Sequence, residues 1–164
     1  MDQYELRFCL ALNKYSSNEI IRIFFSIISR LGNGVFWYAL IFILPYIYGK
    51  DAIETSIIMT ITGAAGVIIY KLLKKYLVRQ RPCISHDCIN QGTAMLDLYS
   101  FPSGHTLHAF SFCIIAVNAF PELGLILIPF TMLVAASRVV LGLHYPTDVV
   151  VGALLGTLLA ALSI

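Results

Sequence analysis

Apolar positions along this 164-residue chain follow two regimes, one periodic and one continuous. Within residues 16–31 they recur at helical spacing. Ile20, Ile23, Phe24, Ile27, Ile28 and Leu31 share one face, with Glu19, Arg22, Ser26, Ser29 and Arg30 opposite. The pattern predicts an amphipathic helix, in the membrane interface or packed over a bundle, and too polar to span. Ser16 with Glu19 three residues on predicts a capping box at its start, and Gly32-Asn33-Gly34 predicts its break. Uncharged apolar runs then follow at residues 35–48, 55–70, 106–120, 123–137 and 149–164. With their flanks most approach the roughly 20 residues needed to cross a bilayer. Trp37, Tyr38, Tyr46 and Tyr48 sit near the ends of the first run, where interfacial aromatics belong. The expected architecture is all-α, a polytopic membrane helical bundle of about five spans with an N-terminal amphipathic helix. It forms one domain, residues 1–31 being the interfacial segment and 32–164 the bundle.

Composition sharpens this picture. The chain is 59% hydrophobic and only 12% charged, against about 25% charged in a typical soluble domain. A net charge of +2, with no basic run interleaved with aromatics, excludes nucleic acid as the partner. Residues 1–18 lack the basic region, apolar stretch and cleavage site of a signal peptide, so insertion is expected to rely on internal apolar segments. Cys9 and Cys113 read as buried, inert thiols. Cys83 and Cys88 flank Ile84-Ser85-His86-Asp87 in the one sizeable polar connection, residues 71–103. Free thiols and a small-loop disulfide stand level for that pair. A metal site with His86 and Asp87 ranks well behind, because the spacing is not a standard zinc pattern.

Polar residues with chemistry cluster in three short segments. Lys74 and Arg81-Pro82 follow the second run, Pro102-Ser103-Gly104-His105 opens the third, and Ser137-Arg138, His144 and Asp148 lie between the fourth and fifth. An even number of crossings separates each segment from the next, so all three meet at one membrane face. Ionisable groups at a hydrocarbon boundary are costly and imply a function. Lys74, Arg81 and Arg138 suit a phosphoryl group, arginine offering bidentate forks to its oxygens. Ser103 and Gly104 begin a helix whose free N–H groups form an anion cradle, Gly104 permitting close approach and Ser103 also serving as N-cap. Asp148, four residues after His144, reaches back to one ring nitrogen and leaves the other nucleophilic. Lys71, Lys75 and Arg79 read as headgroup anchors, His108 as a packing histidine and His86 as solvated.

These segments, Lys74-x6-Arg81-Pro82, Pro102-Ser103-Gly104-His105 and Ser137-Arg138-x5-His144-x3-Asp148, resemble the three signatures of the type 2 phosphatidic acid phosphatase superfamily. Spacing and order are intact over about half the chain. The bacterial membrane branch is more similar than the soluble acid phosphatases or vanadium haloperoxidases. The resemblance implies that His144 attacks phosphorus and becomes a phosphohistidine, oriented by Asp148. It implies that His105 protonates the leaving oxygen and then helps activate water. Lys74, Arg81, Ser103, Gly104 and Arg138 would hold the phosphoryl oxygens, with no metal or cofactor required. Six-span members carry an extra N-terminal helix, whose place is taken here by the amphipathic segment alone.

The expected function is hydrolysis of a membrane lipid phosphate or diphosphate, such as undecaprenyl diphosphate, phosphatidylglycerophosphate, phosphatidate or lipid A phosphates. A phosphotransferase using the same phosphohistidine is the alternative, and a non-catalytic scaffold predicts decayed motifs that are not seen. The partners implied are the lipid substrate and the bilayer. Ten of the eleven Lys/Arg residues fall on the active-site face, only Lys50 lying opposite. The positive-inside rule alone would turn that face to the cytoplasm. The family resemblance turns it outward, to the periplasm or exterior of a bacterial inner membrane, and that is the expectation adopted.

Overall fold

The structure is a computed structural model that describes residues 3–95 and 97–164. Local chemistry sets where its helices begin and end. A short α1 (Gln3–Asn13) runs through a 3-10 turn, Lys14–Ser17, into α2 (Glu19–Arg30). The cap of α2 is Asn18, not Ser16. The Asn18 side chain accepts from the backbone N–H groups of Ile20 and Ile21 at 2.9 and 3.3 Å, whereas the Ser16 hydroxyl donates to Asn13 O at 2.7 Å. Asn18 wins because it alone has the extended backbone that a cap requires.

Gly32-Asn33-Gly34 breaks the helix as the sequence predicts, by a kink and not by a loop. It forms a wide turn, Leu31–Val35, in which Gly34 adopts φ 125°, a conformation closed to side-chain-bearing residues. Helix α3 (Phe36–Tyr48) continues directly, giving one kinked run from Glu19 to Tyr48. The amphipathic segment is therefore joined to the first span and packed over the bundle against α7 (Gly124–Val140). Two helices, not one segment, precede α3.

Helix α4 (Asp51–Tyr76), a single-turn α5 (Pro82–Ser85), α6 (Gly104–Ala119) and α8 (Pro146–Ala161) complete the architecture. Among the described residues three runs are long and apolar enough to cross a membrane: Glu19–Tyr48, Asp51–Tyr76 and Pro121–Val140. Helices α6 and α8 have 16 residues each, about 24 Å of helix. Large side chains such as Phe42, Tyr46, Ile61, Leu125 and Leu154 point outward, as they must in lipid. This is an integral membrane protein.

Helix α6 is the hub, packed against α4, α7 and α8, with Leu107, Ala109, Ile115 and Ala116 fully buried. Small residues allow the closest approach. A Cβ at Gly156 would lie 2.3 Å from Leu107 O, and one at Gly152 2.6 Å from Ser103 O. The Gly152-x-x-x-Gly156 stripe thus lets the two backbones touch, as small-residue stripes do between helices in lipid. It also fixes the first turn of α8 beside the first turn of α6, where the site lies. Trp37, Met59, Phe112, Leu127 and Val134 fill the core on the far side of that junction.

Candidate active site

Backbone bonds bring the three polar segments together. Ser100 N–H donates to Arg79 O at 2.8 Å, closing the connection between α4 and α6 on itself. Ser103 N–H donates to Asp148 O at 3.0 Å, and Cys83 N–H to Gly142 O at 3.2 Å. Lys74, Arg81, Gly104, His105, Arg138 and His144 consequently line one cavity of about 870 Å³. The same cavity runs into an apolar groove between α3 and α4, bordered by Trp37, Ile41, Phe42, Met59 and Val67.

The imidazole of His144 is 1% exposed and has two different sides. On the cavity side, Nε2 lies 3.2 Å from Arg81 Nη1. A guanidinium has only donors, so Nε2 is the acceptor and the ring proton resides on Nδ1. On the other side Nδ1 faces Asp148 Oδ2 at 3.5 Å, without a hydrogen bond among the described residues, the kind of long contact that tightens when substrate binds. Burial, reinforced by Arg138, Arg81 and Lys74, holds the His144 pKa well below the ordinary histidine value. The ring is thus an uncharged base with its lone pair directed at the cations.

Three cations surround that lone pair. Arg81 is fixed on all sides, donating from Nε to Asp97 O at 2.9 Å, from Nη1 to Leu143 O at 2.8 Å and from Nη2 to Asp97 Oδ1 at 2.5 Å. Lys74 Nζ donates to Asp97 Oδ1 and Tyr99 O, both at 2.8 Å. Among the described residues Arg138 is held by one bond, from Nη1 to Ser29 Oγ on α2, and its buried Nε has no partner. Its remaining donors are available to an oxyanion.

Asp97 is a site residue that sequence reasoning missed. Burial alone would raise its pKa, but Lys74 and Arg81 hold it below the usual carboxylate range. Three cations against this one carboxylate leave two positive charges, matching a phosphoryl dianion. No spacing marks Asp97, which lies in the irregular connection between two motifs.

Other expectations divide. Ser103 is completely buried, its hydroxyl lies 2.9 Å from Thr106 Oγ1 and accepts from Thr106 N–H, and so it works as the helix cap rather than lining the cavity. His108 is the packing residue expected, with Nδ1 2.8 Å from Gly104 O and Nε2 3.1 Å from Gly63 O, joining α6 to α4. Lys71 and Lys75 are exposed at the cavity mouth. His86 is half-buried rather than solvated, its Nε2 shielded and without a partner among the described residues. Cys83 and Cys88 are free thiols, Cys88 exposed.

Arg79 is the clearest correction. Instead of reaching for headgroups it donates from Nη1 to Asp148 Oδ1 at 2.6 Å and from Nη2 to Glu5 Oε2 at 2.6 Å. Burial opposes its charge, but Asp148 and Glu5 more than offset this and raise its pKa.

Comparison with known proteins places this geometry. The sequence profile of the PAP2 superfamily matches residues 54–164. Undecaprenyl-diphosphatase BcrC of Bacillus subtilis (strain 168) is 32% identical over 128 residues, covering 77% of this chain and 63% of that protein. Decaprenylphosphoryl-5-phosphoribose phosphatase of Mycobacterium tuberculosis (strain CDC 1551 / Oshkosh) is 32% identical over 106 residues, covering 62% and 57%. The chain therefore spans less than two thirds of the length of either curated relative. Among solved structures, Aquifex aeolicus LpxE superposes with TM-score 0.83 at 26% identity, covering 96% of this chain and 93% of that one. A transmembrane PAP2-type phosphatidylglycerolphosphate phosphatase from Bacillus subtilis gives TM-score 0.76 at 26% identity, covering 99% and 85%.

Proposed function

Because this chain belongs to the PAP2 superfamily, we propose that it is a membrane lipid phosphatase working through a phosphohistidine on His144. The observation that carries this reading is the single cavity joining a buried, triply cationic phosphoryl end to an apolar groove. One end fits the phosphate and the other the lipid tail.

In the first step the Nε2 lone pair of His144 attacks phosphorus while the bond from phosphorus to the lipid oxygen breaks. His105 gives its proton to that departing oxygen. Asp148 stabilises the imidazole, which carries positive charge once phosphorylated. In the second step water attacks phosphorus, His105 takes a water proton, and the bond between phosphorus and Nε2 breaks to release inorganic phosphate. Lys74, Arg81, Arg138 and the N–H groups at Gly104 stabilise the equatorial oxygens as charge builds. Ser103 contributes through the helix start that it caps.

The substrate we favour is a polyprenyl phosphate or diphosphate. Both of these curated relatives bear polyprenyl names, and the groove between α3 and α4 is lined by apolar side chains fit for a prenyl chain. Assaying phosphate release by the purified protein against undecaprenyl diphosphate, phosphatidylglycerophosphate and phosphatidate tests this directly. Preference for a two-chain lipid would remove the polyprenyl assignment while leaving the chemistry intact, and transfer of phosphate to an acceptor lipid instead of water would make the enzyme a phosphotransferase.

We also infer that the site faces outward. Of the ten cations on its face, Lys74, Arg81 and Arg138 line the cavity, Arg79 is bound to Asp148 and Glu5, and Arg22 pairs with Glu19. Setting aside the three cavity cations leaves seven Lys/Arg on this face against Lys50 opposite, so the outward reading rests on the family resemblance and runs against the positive-inside rule. Cys88 offers a native test, being exposed while Cys9 and Cys113 are buried. A membrane-impermeant maleimide should label intact cells in a manner lost in Cys88→Ser; labelling only after lysis would turn the site inward.

A further inference from the structure

Behind the His144–Asp148 pair lies an ion network that neither lines the cavity nor belongs to any of the three motifs' phosphoryl contacts. Arg79 sits just beyond α4, its backbone held by Ser100 N–H at 2.8 Å. Its guanidinium stacks 4.0 Å from the centre of the Tyr145 ring. Nη1 donates to Asp148 Oδ1 at 2.6 Å and to Thr147 Oγ1 at 2.7 Å. Nη2 donates to Glu5 Oε2 at 2.6 Å. The second oxygen of Glu5 accepts from Thr147 N–H at 3.1 Å and from the Thr147 hydroxyl. Glu5 thus ties α1 to both Arg79 and the first turn of α8.

Asp148 itself is completely buried. Its Oδ2 accepts from Tyr145 N–H at 2.9 Å and faces His144 Nδ1, while Oδ1 is taken by Arg79. A carboxylate in such a place keeps its charge only with a cationic partner, since an unpaired buried charge costs several kcal/mol on the order of its desolvation. Lose Arg79 and Asp148 either takes up a proton or swings away, and His144 Nδ1 no longer faces a carboxylate at 3.5 Å. Arg79 in turn would draw Asp148 away from the histidine if it had no second anion to satisfy. Glu5 supplies that anion, leaving the three-membered chain with one net negative charge directed at the imidazole.

We propose that Arg79 and Glu5 are positioning residues for the phosphohistidine chemistry, fixing the ionised Asp148 behind His144 and recruiting α1 as part of the active-site scaffold. This rests on His144 being the nucleophile. Neither residue touches the phosphoryl cradle, so their removal should slow chemistry without weakening anion binding.

The test uses the purified full chain with farnesyl diphosphate in detergent micelles, measuring kcat and the competitive inhibition constant of inorganic phosphate. Arg79→Gln should lower kcat by about 10- to 100-fold, as loss of a group orienting a reactive histidine does, with the phosphate inhibition constant within about twofold of wild type. Arg79→Lys, which keeps the cation but loses the fork, should recover part of that loss, and Glu5→Gln should give a smaller fall of the same kind. Orthovanadate, which mimics the phosphoryl centre bonded to Nε2, should bind more weakly in step with kcat. Unchanged kcat in both Arg79→Gln and Glu5→Gln overturns the proposal, as does loss of phosphate inhibition in parallel with kcat. Should Arg79→Gln fail to accumulate, Arg79→Lys and Glu5→Gln decide by the same two readouts. His144→Ala runs alongside: an active His144→Ala enzyme removes the nucleophile assignment itself, whereas an inactive one beside a fully active Arg79→Gln removes only the positioning role.

Discussion

Arg79 and Arg81 stand two residues apart, and each donates to an aspartate, yet they serve opposite sides of one imidazole. Arg81 meets Nε2 of His144 in the cavity and shares Asp97 with Lys74. Arg79 meets Asp148 behind Nδ1 and shares its charge with Glu5. The front pair is arranged to yield to a phosphate, because Asp97 is partly exposed and lines the cavity. The rear pair is closed around a fully buried carboxylate and has nothing to release. A cation's role here is set by where its carboxylate sits, not by its type or its neighbours in sequence.

Substitutions that separate front from rear sharpen this contrast. His144→Ala removes the atom that both sides serve, and phosphate release should fall by about 10⁴-fold or more, to the level of an unassisted site. His105→Ala should cost about 10²- to 10⁴-fold with a lipid monophosphate, whose leaving alkoxide needs a proton. The loss should be far smaller with a diphosphate, whose leaving phosphate is already acidic. Equal losses with the two leaving groups would strip His105 of its general-acid role. Arg81→Gln, at the front, should lower kcat/KM by about 10²- to 10³-fold and raise the phosphate inhibition constant with it, the reverse of the rear variants.

Two finer effects follow. Because burial and then Arg138 and Arg81 depress the His144 pKa, the free base persists as pH falls through the ordinary histidine range. The acid limb of kcat/KM should therefore lie below that range in the wild type and move to higher pH in Arg138→Gln, compared on one substrate. A limb that stays in place would mean that Arg138 does not act on the histidine. Asp97→Asn should be smallest. Removing the charge that competes for Lys74 and Arg81 should tighten phosphate inhibition by about two- to fivefold, and weaker inhibition would make Asp97 an organiser of the cations rather than their competitor.

Much of the front of the site was legible in the chain. Lys74, Arg81, His105, Arg138 and His144 carry functional groups that an oily segment has no other reason to hold, and their even-crossing topology required them to meet. Helical runs were legible for the same reason, since hydrophobic continuity is read by the bilayer itself. What escaped notice depends on distance in sequence. Glu5 is 74 residues from Arg79, and a lone glutamate on a short N-terminal helix has no local signature. Arg79 was misread because a basic residue after a membrane helix usually meets headgroups. Ser103 illustrates a different limit, one hydroxyl being eligible for both cap and ligand until Thr106 is seen to occupy it. The break at Gly34 was legible from its flanking glycine, whereas the Asn18 cap was missed because Ser16 and Asn18 are both cap-forming residue types two positions apart.

The most direct test is to stop the reaction of the purified enzyme under alkaline conditions within a single turnover and map the phosphate by mass spectrometry. Phosphate should appear on the peptide bearing His144, stable to alkali and labile to acid, accumulating and decaying at rates that account for turnover, and it should be absent from His144→Ala. Full phosphate release with no modified His144 at any time would contradict the account.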